Sequence, residues 1–272
     1  MKFLISPFIS LSKNRELLGQ FVIRDLEAET KGSILGFSWI VTQPLMMLGL
    51  YTFVFGFIFR GKYGAYPDET TLDYGLGIYL SITIYGMFAS ALSGSSRIIL
   101  SQANFVKKVV FPLEILPAAS FIASVVRFLI NLILVCIGIG VFGRGFSLQI
   151  FWFPLIIVPL LFLCVGTYWL ISALGVFVRD IGQTMIFLAT AMLWASAVFF
   201  PIQKIPESIY WFLRFNPLIH AIDFSRACLL WGINPINSNL WGFCYIWLFG
   251  IVMFYFGHFV FMKLRPWFAD VI

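Results

Sequence analysis

Six stretches of the chain, residues 34–59, 75–96, 113–142, 150–178, 183–200 and 238–262, are apolar at or near membrane-spanning length. A helix needs about 20 such residues to cross a hydrocarbon core about 30 Å thick. In that core only helices and closed barrels satisfy every backbone N–H and C=O group, and runs this long read as helices. The charge content agrees: Asp, Glu, Lys and Arg make up 11% of the 272 residues, against roughly 25% in soluble domains. A soluble fold of this size would lack the polar groups to coat itself. The expected fold is therefore all-α, a polytopic membrane protein with six transmembrane helices. With no internal repeat or low-complexity linker, it forms one domain over 1–272.

The net charge is +6, but the cations are dispersed. No basic helix carries interleaved aromatics, so nucleic acid is not an expected partner. The cations serve better as signals of topology. With a cytoplasmic N-terminus, the inside segments hold Lys2, Lys13, Arg15, Arg24, Lys31, Arg97, Lys107, Lys108, Arg179, Lys263 and Arg265. The outside segments hold only Arg60, Lys62, Arg144, Lys204, Arg214 and Arg226, and Arg127 lies within a run. Both termini are thus expected inside. Residues 1–12 are apolar but lack a small-residue cleavage site, so a removable signal peptide is not expected.

Two segments fall outside the six runs. Residues 14–31 predict an amphipathic interface helix ending at Gly32, with Leu17, Leu18, Phe21, Val22 and Leu26 on one face. Such a helix lies in the plane of a membrane surface. Residues 201–237 are apolar enough to suggest a seventh span, yet contain Arg214, Asn216, Pro217, His220, Asp223 and Arg226. A mid-membrane charge costs about 2.5–3.5 kcal/mol, and Asn216-Pro217 interrupts a helix. Two short external re-entrant helices fit better. One opens at Pro206-Glu207; the other runs from about Leu218 to Trp231 and stops at Gly232.

The chemistry available is sparse. Cys136, Cys164, Cys228 and Cys244 are far apart and read as small hydrophobes. His220 and His258 have no ligand-spaced partners, so no metal is expected. No GxxxxGK[ST] loop occurs, so a nucleotide would have to bind another chain. In the third run Ser120, Ser124, Arg127 and Asn131 share one face, which suits either a water-filled pathway or a satisfied buried arginine. Tyr51, Phe55 and Phe59 recur at four-residue spacing in the first run. Phe187 and Trp194 lie in the fifth, with Phe199 and Phe200 at its end. Aromatic faces let sugar rings slide past without strict directionality, though many aromatics simply face lipid. The loop with Asn104, Phe105, Lys107 and Lys108 suits a docking helix with Phe105 as anchor, or a basic anchor to anionic lipid. Asp68, Glu69 and Asp73 admit a metal site in a membrane-embedded glycosyl transferase, or a solvated loop.

Taken in order, several fragments resemble the polysaccharide-export ABC permeases, type-2 ABC exporters of O-antigen, teichoic acid and capsular glycans. They are Arg24-Asp25-Leu26-Glu27-Ala28, Lys31 to Trp39 with Gln43-Pro44-Leu45, Asn104 to Lys108 with Phe111-Pro112-Leu113-Glu114-Ile115-Leu116-Pro117, Arg179-Asp180-Ile181, and Asn216-Pro217-Leu218 with Arg226. The resemblance covers residues 15 to 232. It implies a bacterial cytoplasmic-membrane homodimer moving a lipid-linked glycan, with two ATP-binding cassette subunits that carry ATP and Mg. It also implies ATPase contacts at Arg24, Asp25, Glu27, Asn104, Phe105, Lys107 and Lys108. A pathway would run by Tyr51, Phe55, Phe59, Arg127, Phe187 and Trp194. An external gate would form at Asn216, Pro217, Asp223 and Arg226. The short segment after Leu264 is expected to hold no binding domain. The alternatives are a type-2 exporter of drugs or lipids and, further off, the transferase.

Overall fold

The structure, a computed structural model, describes residues 11–30, 36–108, 111–143 and 145–272. The regular elements among them are all helices. They are α1 (Arg15–Thr30), α2 (Trp39–Tyr51), α3 (Thr71–Gly94), α4 (Ala103–Lys108), α5 (Ile115–Phe142), α6 (Phe153–Phe177), α7 (Ile181–Ala195), α8 (Glu207–Leu213), α9 (Pro217–Leu229), α10 (Pro235–Ser238), α11 (Leu240–Leu264) and α12 (Phe268–Val271). The expected helix stop at Gly32, the start of the first run at Ile34, and Lys2, Lys31 and Arg144 lie outside the described residues. So does the side chain of Lys108.

Five helical stretches are long and apolar enough to cross a membrane: Trp39–Ile58, Thr71–Arg97, Ile115–Phe142, Leu148–Phe177 and Leu240–Val271. The run at 183–200 behaves differently. It is helical only within α7, whose 15 residues extend about 22 Å, after which the chain turns. The segment 201–237 forms two short helices, α8 and α9, as its Pro, Asn and Gly residues predict. Asn216 Oδ1 accepts from Leu218 N at 3.0 Å and Pro217 takes the first helical position of α9. Gly232, at φ +63°, redirects the chain beyond it. At α3, Thr70 and Asp73 form a reciprocal capping box, with bonds of 3.1 and 3.0 Å.

α3 is the central helix. Two thirds of its spanning window is buried (67%), against 6% for α2, which lies on the outside of the bundle. The most intimate contact joins α6 and α11. A Cβ at Gly166 would overlap the Met253 carbonyl, one at Gly257 the Gly166 carbonyl, and one at Gly250 the Pro159 carbonyl. Helix association in lipid gains little from apolar burial, so close backbone approach at small residues supplies the packing instead.

α1 and the last residues of the chain meet in one apolar cluster that includes Phe21, Ile99, Phe111, Trp169, Phe261 and Phe268. Glu114 is buried beside it, paired with Arg265 at 3.0 Å, and its carbonyl accepts from Trp169 Nε1 at 3.1 Å. The apolar stripe of α1 is turned into this cluster: Phe21 is buried, and Leu17, Leu18 and Val22 pack around it. The protein itself therefore covers much of the stripe that periodicity alone assigned to a membrane surface. α5 and the end of the chain offer side chains on several sides, which a flat headgroup plane does not.

Valine at Gly166 or Gly257 is expected to force α6 and α11 apart at a cost of about 1–3 kcal/mol or more. Gly49→Ala, in open space, should leave the melting temperature in detergent unchanged or raised. Equal melting temperatures for all three variants would refute the close-packed seam.

Candidate functional site

The turn that ends α7 is held by side chains from three other parts of the chain. Asn216 Nδ2 donates to the Ala195 carbonyl at 3.2 Å and to Ser196 Oγ at 2.9 Å. Arg226 Nη1 donates to the Ala197 carbonyl at 3.0 Å. Tyr63 Oη donates to the Val198 carbonyl at 2.8 Å, and Tyr74 Oη to the Phe199 carbonyl at 2.6 Å. One turn and a half earlier, Tyr85 Oη reaches the Ala189 carbonyl at 2.6 Å. A helix end leaves carbonyls without intrahelical partners, and buried ones need donors from elsewhere. Ala197 sits at φ +53°, an uncommon conformation for a residue with a Cβ. The surrounding bonds hold it there.

Arg226 is fully buried. Its guanidinium lies 4.4 Å from the Tyr63 ring centroid and 5.7 Å from that of Trp231, with Asp223 Oδ1 at 3.4 Å. Of the residues expected at an external gate, Asn216 and Arg226 thus converge on one turn. Pro217 opens the helix that carries Arg226, and Asp223 flanks it. Tyr63, Tyr74, Tyr85 and Ala197 were not anticipated. The tyrosines carried one available signal: a buried Tyr normally finds a partner for its hydroxyl.

The clamp places the Phe199 ring. It stacks on Phe55 at 4.7 Å and lies 6.1 Å from Tyr51 and 5.2 Å from Trp194. Tyr51, Phe55 and Phe59 follow one another at 6.3 and 5.8 Å, across a π-helical stretch, Thr52–Ile58. Such stretches are rare and recur at functional sites. The result is an aromatic ladder of Phe59, Phe55, Tyr51, Phe199 and Trp194. Phe187 stands apart on α7, exposed two turns before Trp194.

The same row of α2, followed backwards in steps of four, passes Met47, Gln43 and Trp39. These three line a cavity of about 330 Å3 between α2, α3 and α5, together with Arg127. Arg127 is therefore separate from the ladder but reached along the same helix face. Asn131 Nδ2 donates to the Arg127 carbonyl at 2.9 Å and its Oδ1 accepts from Tyr79 at 2.8 Å. A second cavity, of about 310 Å3, shares Arg127 and is lined by Asp25, Ser120 and Tyr168.

At that end Asp25 Oδ2 accepts from Ser120 Oγ at 2.6 Å and its Oδ1 pairs with Arg24 at 3.0 Å. This ties α1 to α5. Arg24, Glu27, Asn104 and Lys107 are exposed, whereas Phe105 is half-buried against Phe111 and Phe21, at 5.0 and 5.6 Å. The ring expected to anchor a partner is engaged within the chain, because the aromatic faces of α1 and the 111 loop lie beside it.

Two of the acids expected in the first outside loop, Glu69 and Asp73, also have structural tasks. Glu69 accepts from the backbone N–H groups of Tyr63 and Gly64 at 2.9 and 2.7 Å, and Asp73 caps α3. Among the described residues no group of three or more His, Cys, Asp and Glu is gathered to hold a metal ion. His220 Nε2 donates to the Arg214 carbonyl at 2.7 Å, and His258 packs edge-on against Trp169. Cys164 and Cys228 are buried, Cys136 partly so, and Cys244 is exposed.

Arg226→Met is expected to cost about 3–5 kcal/mol, because it strands the buried Ala197 carbonyl and Asp223. Tyr74→Phe should cost about 1–3 kcal/mol. Ala197→Gly removes the Cβ from a left-handed position and should cost nothing. Melting temperatures in one detergent rank the three; a harmless Arg226→Met would contradict the clamp.

A family model described as ABC-2 type transporter matches residues 18–230. Among curated relatives, an O-antigen export system permease protein RfbA of Klebsiella pneumoniae is 26% identical over 261 residues, covering 94% of this chain and 95% of the relative. The protein of the same name from Myxococcus xanthus is 22% identical over 80% of this chain and 81% of its own length. The polysialic acid transport protein KpsM of Escherichia coli is 21% identical over 82% and 83%. The matched region runs from α1 to just past α9 and takes in both the α1–α5 tie and the clamp on α7. The chain belongs to the ABC-2 type transporter family.

Proposed function

We propose that this chain is the permease subunit of an ATP-driven exporter that moves a lipid-linked polysaccharide across the bacterial cytoplasmic membrane. It works as a homodimer with two ATP-binding cassette subunits, which bind ATP and Mg and hydrolyse the nucleotide. Both termini face the cytoplasm. The names of the relatives, which concern O-antigen and polysialic acid, support the substrate class.

The observation that carries this reading is the row Trp39, Gln43, Met47, Tyr51, Phe55 and Phe59, on α2 and the π-helical stretch that continues it. It passes from the cavity beside Arg127 at one end to an aromatic ladder at the other. α2 is also the least buried of the long helices. In the assembly this face lines the route between two protomers, where ring faces contact the apolar sides of successive sugars without fixing any one of them. Trp194 and Phe187 on α7 extend the lining. A large part of α2 needs cover from lipid or from a second copy, and the route accounts for both.

Six crossings complete the topology. α6 ends at Phe177, whose ring lies 6.0 Å from Phe268 near the end of the chain. The turn after α7 lies against Tyr74, at the opposite end of the bundle. α7 and its clamped turn together supply the crossing between those two places, and α8 and α9 enter the outer leaflet as re-entrant helices. Asn216, Pro217, Asp223 and Arg226 hold the outer gate.

Coupling to ATP runs through the inner surface. Arg24, Glu27, Asn104 and the basic pair Lys107-Lys108 face the ATPase, with Phe105 supporting them from within. Closure of the ATPase dimer pushes α1 and α4. The Asp25–Ser120 bond then passes the displacement to α5, shifting packed helices between two discrete arrangements.

Tyr51→Ala and Phe55→Ala are expected to slow glycan export roughly two- to tenfold while co-purification with the ATPase stays intact. Surface labelling of the exported glycan reads this, and normal export in both variants removes the ladder from the route. Lys107→Glu combined with Lys108→Glu should lower the ATPase recovered with the permease. Unchanged stoichiometry would assign those lysines to anionic lipid instead.

A further inference from the structure

Beyond Leu264 the chain carries on from α11 as a 3₁₀ turn, Arg265–Trp267, and then α12. Phe261, Arg265, Phe268 and Ile272 fall at i, i+4, i+7 and i+11, one face of a continuing helix. That face is turned inward. Phe261 and Phe268 are fully buried and Ile272 packs beside them, whereas Pro266, Trp267, Ala269 and Asp270 are exposed. The Phe268 ring lies 5.5 Å from that of Phe261 and 6.0 Å from that of Phe177, at the end of α6.

Arg265 reaches from this face to the turn that precedes α5. Its Nη1 lies 3.0 Å from Glu114 Oε2, and its Nη2 donates to the Phe111 carbonyl at 3.3 Å. Phe111 precedes Pro112, which disfavours a helical backbone there, so its carbonyl needs a donor from elsewhere. Glu114 is buried, and its own carbonyl accepts from Trp169. One guanidinium therefore spans both ends of the turn 111–114. Its forked N–H groups suit that task, and the single ammonium of a lysine does not. α4 has six residues, too few for a helix to persist unsupported in water. Its Phe105 ring rests on Phe111 and Phe21, at 5.0 and 5.6 Å, and α12 lies against it. The exposed Asn104 and Lys107 are thus placed by a residue that Arg265 holds.

We propose that Arg265 and Phe268 are positioning residues for α4 and the turn 111–114: the extension of α11 fixes where α4 presents Asn104 and Lys107. The positioning stands on these contacts alone; its service in coupling rests on the reading of α4 as an ATPase-facing helix. On that reading α4 has two supports, α1 through Phe21 and the extension of α11 through Phe111. The partner then pushes on a braced surface instead of a loose loop.

Hydrogen–deuterium exchange of the full-length chain in detergent tests this, with wild type, Arg265→Lys and Phe268→Leu. Arg265→Lys keeps a cation beside buried Glu114, so the fold is not at stake. Both variants should exchange about tenfold faster over 103–108, with a smaller change over α3. Arg265→Gln combined with Glu114→Gln removes both charges and should show the same local loss. Unchanged exchange over 103–108 in the folded variants overturns the proposal. So does a rise over α3 as large as that over 103–108, which marks a general loosening of the bundle. ATP turnover of each variant with the ATP-binding cassette subunit is read in parallel, and a lower kcat with an unaltered KM for ATP is expected. Faster local exchange with unaltered turnover upholds the positioning and removes α4 from the ATPase contact. Unchanged exchange, with Lys107→Glu and Lys108→Glu still lowering ATPase recovery, removes the positioning and upholds that contact.

Discussion

A backbone carbonyl in hydrocarbon has no water to turn to, and the structure depends on how the chain meets that demand where α7 stops. Apolar sequence continues past Ala195, but the helix does not. The freed carbonyls of Ala195, Ala197, Val198 and Phe199 are taken up by Asn216, Arg226, Tyr63 and Tyr74. These donors come from the loop after α2, the first turn of α3, and the start and body of α9. The turn therefore exists only if three distant segments are correctly placed, and it in turn fixes them to each other. Polar side chains within a membrane protein commonly serve in this way, replacing water for a backbone that departs from a helix.

The aromatic ladder is a consequence. Phe199 meets Phe55 because its own carbonyl is bonded to Tyr74 and its neighbour's to Tyr63. Arg226 on α9 and the Phe199 ring that faces α2 are thus joined through one short turn at Ala197. At the opposite end, Asp25 and Ser120 play the corresponding part between α1 and α5. Between the two lies α2, sparsely buried, carrying Pro44 within it and continued by a π-helical stretch. Pro44 weakens the regular ladder of bonds within α2, and this row of residues lines both the Arg127 cavity and the aromatic ladder.

Much of this was legible from residue order. The two short helices after residue 201 were readable because Pro206, Asn216-Pro217 and Gly232 act locally, through missing N–H groups, capping and left-handed backbone. The apolar stripe of α1 was readable from its period, but not what would cover it, since periodicity names a face and never its partner. Arg127 and its polar neighbours were visible as one face of α5. Gln43 and Trp39 were legible only as fragments of the resemblance; their place beside Arg127 is set only when α2 lies across α5. Phe105 looked like an anchor for another protein, and the nearness of Phe21 and Phe111 could not be read from spacing.

Sequence alone determined that these helices belong in a bilayer and which faces are polar, because hydrophobicity and charge act within a few residues of themselves. Tertiary structure alone decided where α7 ends, which carbonyls Arg226 and the tyrosines satisfy, and how close α6 approaches α11 at Gly166 and Gly257. Each of those outcomes is a contact between segments distant in the chain. Its energy depends on distances of a few tenths of an ångström, which no local pattern encodes.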